Sequence, residues 1–384
     1  MQASGPGDQG PASRLRVLIA GGGTGGHVIP ALAIARELRE AHTAEVRFIG
    51  TARGLETRLV PEAGFALELM RVGQLKNVSL ATRVRTVGDL PVGVVRCMGL
   101  LRRFRPGVVV GVGGYASGPA MMAAILLRIP TLAFEPNAAP GLANRLVGRW
   151  VSAAAVNFAA TKGYFRNPQV TGIPVRREFF GISPRPRAQD TLRLLVFGGS
   201  QGARVLNEAM PQAAARLLER FPALTIVHQA GGRHGESTAS AYADAVGMNT
   251  GRVRVQPYLD AMVEEIAAAD LILCRSGAST VAELAAAGRA AVLVPFAAAA
   301  DDHQRRNADV LVEAGAAAMI LERDLTPERV LEAVGGLLGD ATLREKMSEK
   351  ARLYAHADAA LRIAQMCVAL AGTGTLSGER IAAN

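Results

Sequence analysis

The sequence is poor in aromatic residues, which make up 4% of its 384 residues and include a single Trp. Proteins that bind single-stranded nucleic acid usually stack the bases on aromatic side chains. The scarcity therefore argues against nucleic acid as a partner.

Cysteine is scarce as well, and the three present, Cys97, Cys274 and Cys367, lie far apart in the chain. No C-x-x-C pair indicates a metal or redox site, so the pattern favours a reducing compartment. No Asp-x-Asp cluster follows a predicted strand either. We expect the protein to require neither a metal nor a cofactor.

Long uninterrupted apolar runs are missing from the sequence. Arg128 and Pro130, for example, interrupt residues 121–134 before they reach the length of a membrane span. Residues 1–13 are rich in Gly, Pro, Ser and Gln and lack the apolar core of a secretory signal. We expect a disordered N-terminal extension on a soluble or peripheral protein.

Positive charge and glycine, by contrast, are abundant: the formal net charge is +10 and 42 residues are Gly. A basic protein suggests an anionic partner, which could be nucleic acid, a phosphorylated small molecule or an acidic membrane surface. The chain is long enough for two domains with full cores.

Short apolar runs alternate with helical stretches, and this alternation predicts an α/β fold class. The predicted strands lie at 15–20, 46–49, 108–112, 131–134, 192–197, 225–229, 269–274 and 291–295.

The glycine loop after the first predicted strand fits a dinucleotide-binding pattern. Gly21, Gly23 and Gly26 satisfy G-x-G-x-x-G between a strand and a helix. The second strand, however, ends in residues 50–53 without the acid that would hold a ribose. An NAD site therefore remains a minor alternative.

A second strand-loop-helix arrangement begins at Ser276, with small residues before a predicted helix over 281–287. Free N–H groups and the helix dipole would make an anion site there. Thr280 and Glu283 also fit a capping box, with Thr280 as the N-cap. The pattern alone leaves a ligand-binding role and a purely structural role open.

Four loops occur together in one order, and their combination carries a family resemblance. They are Gly22–His27, Gly113–Ser117, Gly198–Ala203 and Ser276–Glu283, the last with Gln304 further on. With them, from about Arg14 to Ala371, the sequence resembles the MurG family of transferases, which add N-acetylglucosamine to lipid I in peptidoglycan synthesis.

The resemblance implies a GT-B fold, in which two Rossmann-like domains face each other across a cleft. The expected divisions are a disordered extension at 1–13, an acceptor and membrane domain at 14–172, an interdomain linker at 173–191, a UDP-sugar domain at 192–352, a return helix on the first domain at 353–371, and a disordered tail at 372–384.

The resemblance also implies the substrate contacts. The donor UDP-N-acetylglucosamine would contact Thr24, Gly25, Gly26, Asn137, Arg176, Ser200, the backbone of Leu259, Ala278, Ser279, Thr280, Val281, Ala282, Glu283 and Gln304. The diphosphate of lipid I would lie near Gly23, Gly113, Gly114, Tyr115 and Ser117.

A lipid-linked acceptor implies a membrane surface, which we expect to be the cytoplasmic face of the bacterial inner membrane. Residues 71–105 carry many basic side chains against a single acid, Asp89, and each basic residue near anionic lipid contributes about 1 kcal/mol. Arg83, Arg85 and Arg145 are the expected membrane-facing residues, although a solvated helix face would look the same. Cell-wall synthesis proteins are further expected partners.

The implied reaction displaces UDP from the anomeric carbon with inversion. His27, at a helix N-terminus, is the expected base, because the helix dipole should lower its pKa and keep it neutral. Glu135 is the second candidate base, or else it orients the loop that carries Asn137. Glu283 is expected to accept hydrogen bonds from the ribose hydroxyls.

Two positions depart from the family pattern. Pro136 stands where the family commonly has Gln, and Ala297–Ala300 stand where it commonly has a His. A transferase acting on diacylglycerol, a UDP-N-acetylglucosamine epimerase and a nucleotide-sugar-binding module without turnover remain alternatives.

Overall fold

The structure, a computed structural model, describes residues 14–52, 54–70, 80–185, 191–247 and 251–379. For 80–89 and 373–379 it describes the backbone only. The expected disordered extension at 1–13 lies outside the described residues.

Seven parallel strands of the described residues form the first sheet, because their apolar runs are covered by helices on both faces. In chain order they are β1 (Arg16–Ala20), β2 (Glu45–Thr51), β3 (Ala66–Met70), β4 (Val108–Gly111), β5 (Thr131–Glu135), β6 (Ala153–Val156) and β7 (Pro168–Val170). The accompanying helices are α1 (Gly25–His42), α2 (Glu56–Glu62), α3 (Leu80–Phe104), α4 (Ser117–Leu126) and α5 (Leu142–Val147).

A second parallel sheet follows, with six strands in the described part of the chain. They are β8 (Leu192–Phe197), β9 (Leu224–Gln229), β10 (Val253–Gln256), β11 (Leu271–Cys274), β12 (Ala291–Leu293) and β13 (Ala318–Met319). Its helices are α6 (Arg204–Arg220), α7 (Gly235–Val246), α8 (Met262–Ala268), α9 (Ala278–Ala287), α10 (His303–Glu313), α11 (Pro327–Gly339) and α12 (Ala341–Arg352).

Both sheets reverse their strand order in the middle. The orders are β3-β2-β1-β4-β5-β6-β7 and β10-β9-β8-β11-β12-β13, so the reversals lie between β1 and β4 and between β8 and β11. In parallel α/β sheets, ligands bind at the carboxyl ends of the strands at such a reversal. The four small-residue loops follow these four strands, and each sheet therefore presents two of them at its binding edge.

The last helix, α13 (Ala359–Glu379), follows the second domain but packs on the first. Ile363, Ala364 and Cys367 are fully buried in one apolar core with Val17 of β1 and Ile34 of α1. The helix continues past residue 372 to Glu379, over part of the segment that the sequence predicts to be a disordered tail. Residues 380–384 lie outside the described residues.

The segment predicted as a linker packs on both domains: Ile173 is buried in the core of the first domain, and the residues from Phe179 onward pack on the second. Phe179 and Ile182 are buried in a core of that domain. Arg185 forms a two-pronged ion pair with Asp270, with both N–O distances 3.0 Å. The guanidinium of Arg289 donates to the Ser183 carbonyl at 3.0 Å, so residues 179–185 belong structurally to the second domain.

The two domains meet at the start of α9 and along α10. Ala278 and Ala282 share an apolar core with residues of α1. Asn307 of α10, which is fully buried, accepts the Ala138 N–H at 2.8 Å and donates to Asn137 Oδ1 at 3.2 Å. Small residues of α9 and the buried amide of Asn307 therefore contribute contacts between the domains. No helix within the described ranges is long and apolar enough to span a membrane.

The return of α13 predicts where a cavity destabilises the protein. Ile363→Ala removes a side chain that is 0% exposed in the core of the first domain, and such truncations cost about 2–5 kcal/mol. Leu361→Ala, two residues away on the exposed side at 41% exposure, should change the free energy of unfolding by less than about 0.5 kcal/mol. Urea unfolding measures both; equal effects would contradict the packing of α13 on the first domain.

Candidate active site

The two glycine loops of the first domain touch through their backbones. Gly22 N–H donates to the Gly113 carbonyl at 3.3 Å. A Cβ on Gly114, whose φ is +82°, would lie 2.4 Å from the Gly22 carbonyl oxygen. A side chain at this position would push the loops apart, which is why glycine is required.

His27 lies where these loops meet α1. Its ring packs on Gly113, where an added Cβ would be 3.1 Å from the ring, and its Nδ1 is 3.2 Å from Thr24 Oγ1. Burial lowers the pKa of His27, the charge of His303 from α10 lowers it further, and Glu56 opposes both. The direction is the one expected, and burial is its largest cause.

Glu56, which the sequence did not single out, supports the first loop from below. It is 1% exposed, and its carboxylate accepts the N–H of Gly23 at 2.7 Å, the N–H of Thr51 at 2.8 Å and the Thr51 hydroxyl at 2.9 Å. Burial alone would raise the pKa of Glu56, but these hydrogen bonds outweigh it and lower the pKa below its usual value. An ionised carboxylate therefore lies under the loop.

The position of Glu56 changes the expected role of Gly23. The Gly23 N–H is already bonded to Glu56 and is not free for an acceptor diphosphate. The sequence does contain an acid shortly after β2, but it is directed under the glycine loop rather than towards a ribose. A Cβ on Gly50 or Gly54 would collide with this carboxylate. These two glycines, which leave room for a buried side chain, were the feature of the sequence that could have indicated Glu56.

Glu135 is occupied by its own loop. It is 2% exposed, and its carboxylate accepts bonds from Asn137 N–H, Asn137 Nδ2, Gly141 N–H and Asn144 Nδ2 at 3.0–3.1 Å. Burial raises the pKa of Glu135, against these hydrogen bonds. With both oxygens bonded, Glu135 orients the loop that carries Asn137, and the geometry disfavours it as a base.

In the second glycine loop, the groups that a ligand could contact are mainly the backbone and the ring of Tyr115. Ser117 is 1% exposed, and its hydroxyl lies 2.8 Å from where a Cβ of Gly111 would be, so it faces β4 instead of the cleft. That hydroxyl has no hydrogen-bond partner among the described residues. Tyr115 is 39% exposed. The Ser117 side chain is therefore not placed to hold a diphosphate.

In the second domain, the structure moves the start of α9. The helix begins at Ala278 with Gly277 as its N-cap, not at Val281, and no side chain caps it. Thr280 and Glu283 therefore do not form a capping box, and Glu283 lies in the second turn, not the first. The capping-box interpretation was wrong because Gly277 is the last extended residue and the helix already begins at Ala278, before Thr280 could act as its N-cap.

The N-termini of α1 and α9 face each other across the cleft. The hydroxyl of Ser279, in the first turn of α9, lies 4.0 Å from the Cβ position of Gly26 in α1. It is buried and has no described partner. Two helix N-termini directed at one space favour a negatively charged group between them.

Glu283 and Arg176 form the charged wall of this space. Burial raises the pKa of Glu283 to about 7, and the nearby charge of Arg176 lowers it in part. Arg176 is exposed and lies over the ring of Phe179, with its guanidinium carbon 4.9 Å from the ring centroid. Arg176 is therefore free to pair with an anion from solvent.

Three more of the predicted donor contacts, Ser200, Leu259 and Gln304, lie on segments of the second domain that follow β8, β10 and β12. Ser200 is exposed, and the Leu259 N–H is bonded to Gln229 Oε1 at 2.9 Å, which leaves the Leu259 carbonyl for a ligand. Gln304 Oε1 accepts the Phe296 N–H at 3.0 Å. Its amide nitrogen is the part of Gln304 left to donate.

The residues predicted to face the membrane are described only in part. Arg145 is exposed on α5, while the side chains of Arg83 and Arg85 lie outside the described residues. Among the residues described, no group of three or more His, Cys, Asp or Glu side chains could hold a metal ion.

Comparisons with known proteins agree with this architecture. The glycosyltransferase family 28 N-terminal domain matches residues 17–156, and the family's C-terminal domain matches residues 193–376. Two curated relatives named UDP-N-acetylglucosamine–N-acetylmuramyl-(pentapeptide) pyrophosphoryl-undecaprenol N-acetylglucosamine transferase come from Solibacter usitatus and Myxococcus xanthus. They are 43% and 41% identical, and each alignment covers 93% of this chain, with 96% and 93% of the relatives' lengths.

Solved structures give the same result. The crystal structure of Acinetobacter baumannii MurG superposes with a TM-score of 0.76 at 32% identity, covering 92% of this chain and 99% of that one. A putative UDP-N-acetylglucosamine 2-epimerase from Listeria monocytogenes superposes with a TM-score of 0.66 at 15% identity, over 91% and 95% of the two chains, which shows a common fold alone. The chain therefore has the GT-B fold and belongs to glycosyltransferase family 28, within the MurG family of N-acetylglucosamine transferases.

Proposed function

We propose that this chain moves N-acetylglucosamine from UDP-N-acetylglucosamine to the 4-hydroxyl of the N-acetylmuramoyl sugar of lipid I, with inversion, and so makes lipid II. The relatives that cover nearly its whole length are named for this transfer. The observation that carries the proposal is the cleft itself, where the Cβ position of Gly26, beside His27, lies 4.0 Å from the Ser279 hydroxyl at the start of α9, and where His303 of α10 is close enough to lower the pKa of His27.

His27 acts as the general base in this proposal. Its lowered pKa keeps the imidazole neutral near pH 7, so that it can take the proton of the attacking hydroxyl. Proton transfer creates an imidazolium, and the ionised carboxylate of Glu56 favours that charge from below. Glu56 thus offsets part of the effect of burial at the moment when the base becomes charged.

The charge of the departing UDP develops on the other side of the cleft. In this proposal the N–H groups at the starts of α1 and α9 and in the loop with Ser200 meet that charge, and the exposed Arg176 adds a positive charge. These groups are in place before the reaction, so they stabilise the leaving diphosphate without reorganising. The proposed mechanism therefore uses no metal or other cofactor.

Glu283 binds the ribose in this proposal. A carboxylate accepts both hydroxyl protons of a diol, and such charge-assisted bonds contribute about 1.5–3 kcal/mol each. Because burial raises the pKa of Glu283 to about 7, the empty site holds it partly protonated at neutral pH. Donor binding should release this proton, and affinity should rise as pH increases through 7.

The lipid-linked acceptor lies on the first domain, beside Gly113, Gly114 and Tyr115. The membrane is met by an exposed surface at α5 and just beyond it, where Leu146 is 55% and Trp150 61% exposed. Its exposed apolar and basic residues are Leu142, Arg145, Leu146, Arg149 and Trp150. Apolar and basic side chains together suit the surface of an anionic bilayer.

We place the protein at the cytoplasmic face of the inner membrane, with cell-wall synthesis proteins as further partners. The transfer itself is tested by UDP release from UDP-N-acetylglucosamine with a lipid I analogue, with diacylglycerol or with no acceptor. Release that depends on the lipid I analogue is expected; release with water or diacylglycerol alone would favour the alternatives.

His27→Ala should lower turnover about a hundredfold or more while UDP affinity stays within about threefold, because a base acts on the proton transfer and not on donor binding. His42→Ala, at the other end of α1, is the control and should keep parental turnover. Steady-state kinetics and titration calorimetry measure the two quantities. An unchanged turnover number for His27→Ala would remove this residue from the mechanism.

Glu283→Gln should bind UDP at least several-fold more weakly at pH 8, because it loses charge-assisted bonds. It should also be more stable than the parent. Since the folded pKa of about 7 lies above the ordinary 4.5, ionisation of Glu283 destabilises the fold, fully above pH 7 and not at all below about pH 4. The expected gain at pH 8 is about 1–3 kcal/mol.

Melting curves at pH 8 and pH 4 beside calorimetry decide this second prediction. Glu313→Gln, at an exposed position of α10, is the control and should change neither quantity. A Glu283→Gln variant with parental UDP affinity would mean that Glu283 does not bind the donor.

Reversing charge at the membrane surface should weaken vesicle binding. Arg145→Glu combined with Arg149→Glu is expected to lower partitioning onto anionic vesicles more than tenfold, at about 1 kcal/mol for each basic residue removed. The pair Arg216→Glu and Arg323→Glu, exposed on the second domain, is the matched control. Sedimentation with vesicles measures both; equal partitioning would mean that the α5 surface faces solvent.

A further inference from the structure

Gln229 joins two loops of the donor side through a single buried side chain. It is the last residue of β9 and is 1% exposed. Its Nε2 donates to the Gly199 carbonyl at 2.9 Å, and its Oε1 accepts the Leu259 N–H at 2.9 Å. Because β9 lies between β8 and β10 in the sheet, Gln229 connects the loop after β8 with the segment after β10.

The chemistry of the two partners admits only a carboxamide at this length. Leu259 offers an N–H and therefore needs an acceptor, while Gly199 offers a carbonyl and needs a donor. Glutamate would place a carboxylate oxygen against the Gly199 carbonyl, and methionine would satisfy neither partner. The same requirement fixes which end of the Gln229 amide is nitrogen.

The bond to Gly199 also sets the direction of the next N–H. The described residues contain no cis peptide bond, and in a planar trans peptide the carbonyl of one residue and the N–H of the next point in opposite directions. The Gly199 carbonyl is held inward by Gln229 and by the Gly202 N–H at 2.9 Å. The Ser200 N–H is consequently directed outward, to the cleft.

The surrounding backbone leaves the two loops little freedom. A Cβ on Gly202 would lie 1.9 Å from the Ala230 carbonyl oxygen, so this loop rests directly on the end of β9. On the other side, Gly231 N–H donates to the Pro257 carbonyl at 3.0 Å. Gln229 is the side chain that connects the two contacts and fixes their separation.

We propose that Gln229 is a positioning residue that sets the spacing between the backbone at Leu259, which meets the base of the donor, and the N–H of Ser200, which meets its diphosphate. It does not touch the donor. The inference rests on the proposed function, because it assumes a nucleoside diphosphate across these two loops. If so, Gln229 increases the affinity for a nucleoside diphosphate more than the affinity for the nucleoside alone.

The test compares uridine with UDP as calorimetric ligands of the full chain. Gln229→Met should weaken UDP binding about tenfold, since two buried hydrogen bonds are lost and the Ser200 peptide is then held through the Gly202–Gly199 bond without Gln229. Uridine binding should weaken by at most about threefold, because the Gly231–Pro257 bond still holds the base side. The donor KM should rise while kcat changes less.

Two further variants keep the result interpretable. Gln229→Glu retains the side-chain length and the acceptor for Leu259, so it should fold. Like Gln229→Met, it should lower the affinity for UDP more than the affinity for uridine. Tyr242→Phe removes a neighbouring buried bond, from the Tyr242 hydroxyl to His228 Nδ1 at 3.0 Å. It should lower the melting temperature without changing the ratio of the two affinities.

The outcomes separate this inference from the proposed function. A parent chain that fails to bind UDP overturns both. A parent that binds UDP beside folded Gln229 variants with parental UDP affinity overturns only the positioning role. Equal losses of uridine and UDP affinity in folded variants also overturn it, because they would indicate general loosening of the domain.

Discussion

The close approach of α1 and α9 is the contact on which the cleft depends. Ala278 and Ala282 lie in one core with α1, and the Ser279 hydroxyl lies 4.0 Å from the Cβ position of Gly26. Only small residues permit two helices to meet so closely at their N-termini. Because they do, the positive ends of both dipoles and all four small-residue loops are directed at one space, although the loops come from two separate sheets.

Two glutamates border this space, and their pKa values are shifted in opposite directions. Glu56 is held ionised by three hydrogen bonds under the loop of His27, so a carboxylate stands ready when the base takes a proton. Glu283 accepts no comparable bonds from the residues that the structure describes, and burial raises its pKa to about 7. The carboxylate of Glu56 thus has its hydrogen bonds within the protein, whereas that of Glu283 is left to accept hydrogen bonds from a ligand.

The central strands and the loops were predictable from the sequence, but the edges of the sheets were not. β1, β4, β8 and β11 are apolar and buried almost throughout, and their runs stand out in the sequence. The strands without a prediction are short or partly exposed, such as β7 and β13. The fold class followed from the central strands and the loop resemblance, and it was confirmed.

Within the site, the sequence indicated the loops but not what holds them. Gln229 and Asn307 form hydrogen bonds to residues 30 to 170 positions away in the chain. Glu56 is buried beneath nearby glycines. No local sequence pattern indicates contacts of either kind. The start of α9 was misplaced for a related reason: Thr280 and Glu283 have the spacing of a capping box, yet tertiary contacts with α1 begin at Ala278.

Because α13 packs on the first domain, the two domains complete their cores at different times during synthesis. Residues 192–352 contain every strand and helix of the second sheet in one continuous stretch. The first domain, although it begins at the N-terminal side, lacks Ile363, Ala364 and Cys367 in its core until the last helix has left the ribosome. Domains usually complete folding in the order in which they are translated. Here the first domain to be translated must be the last to close.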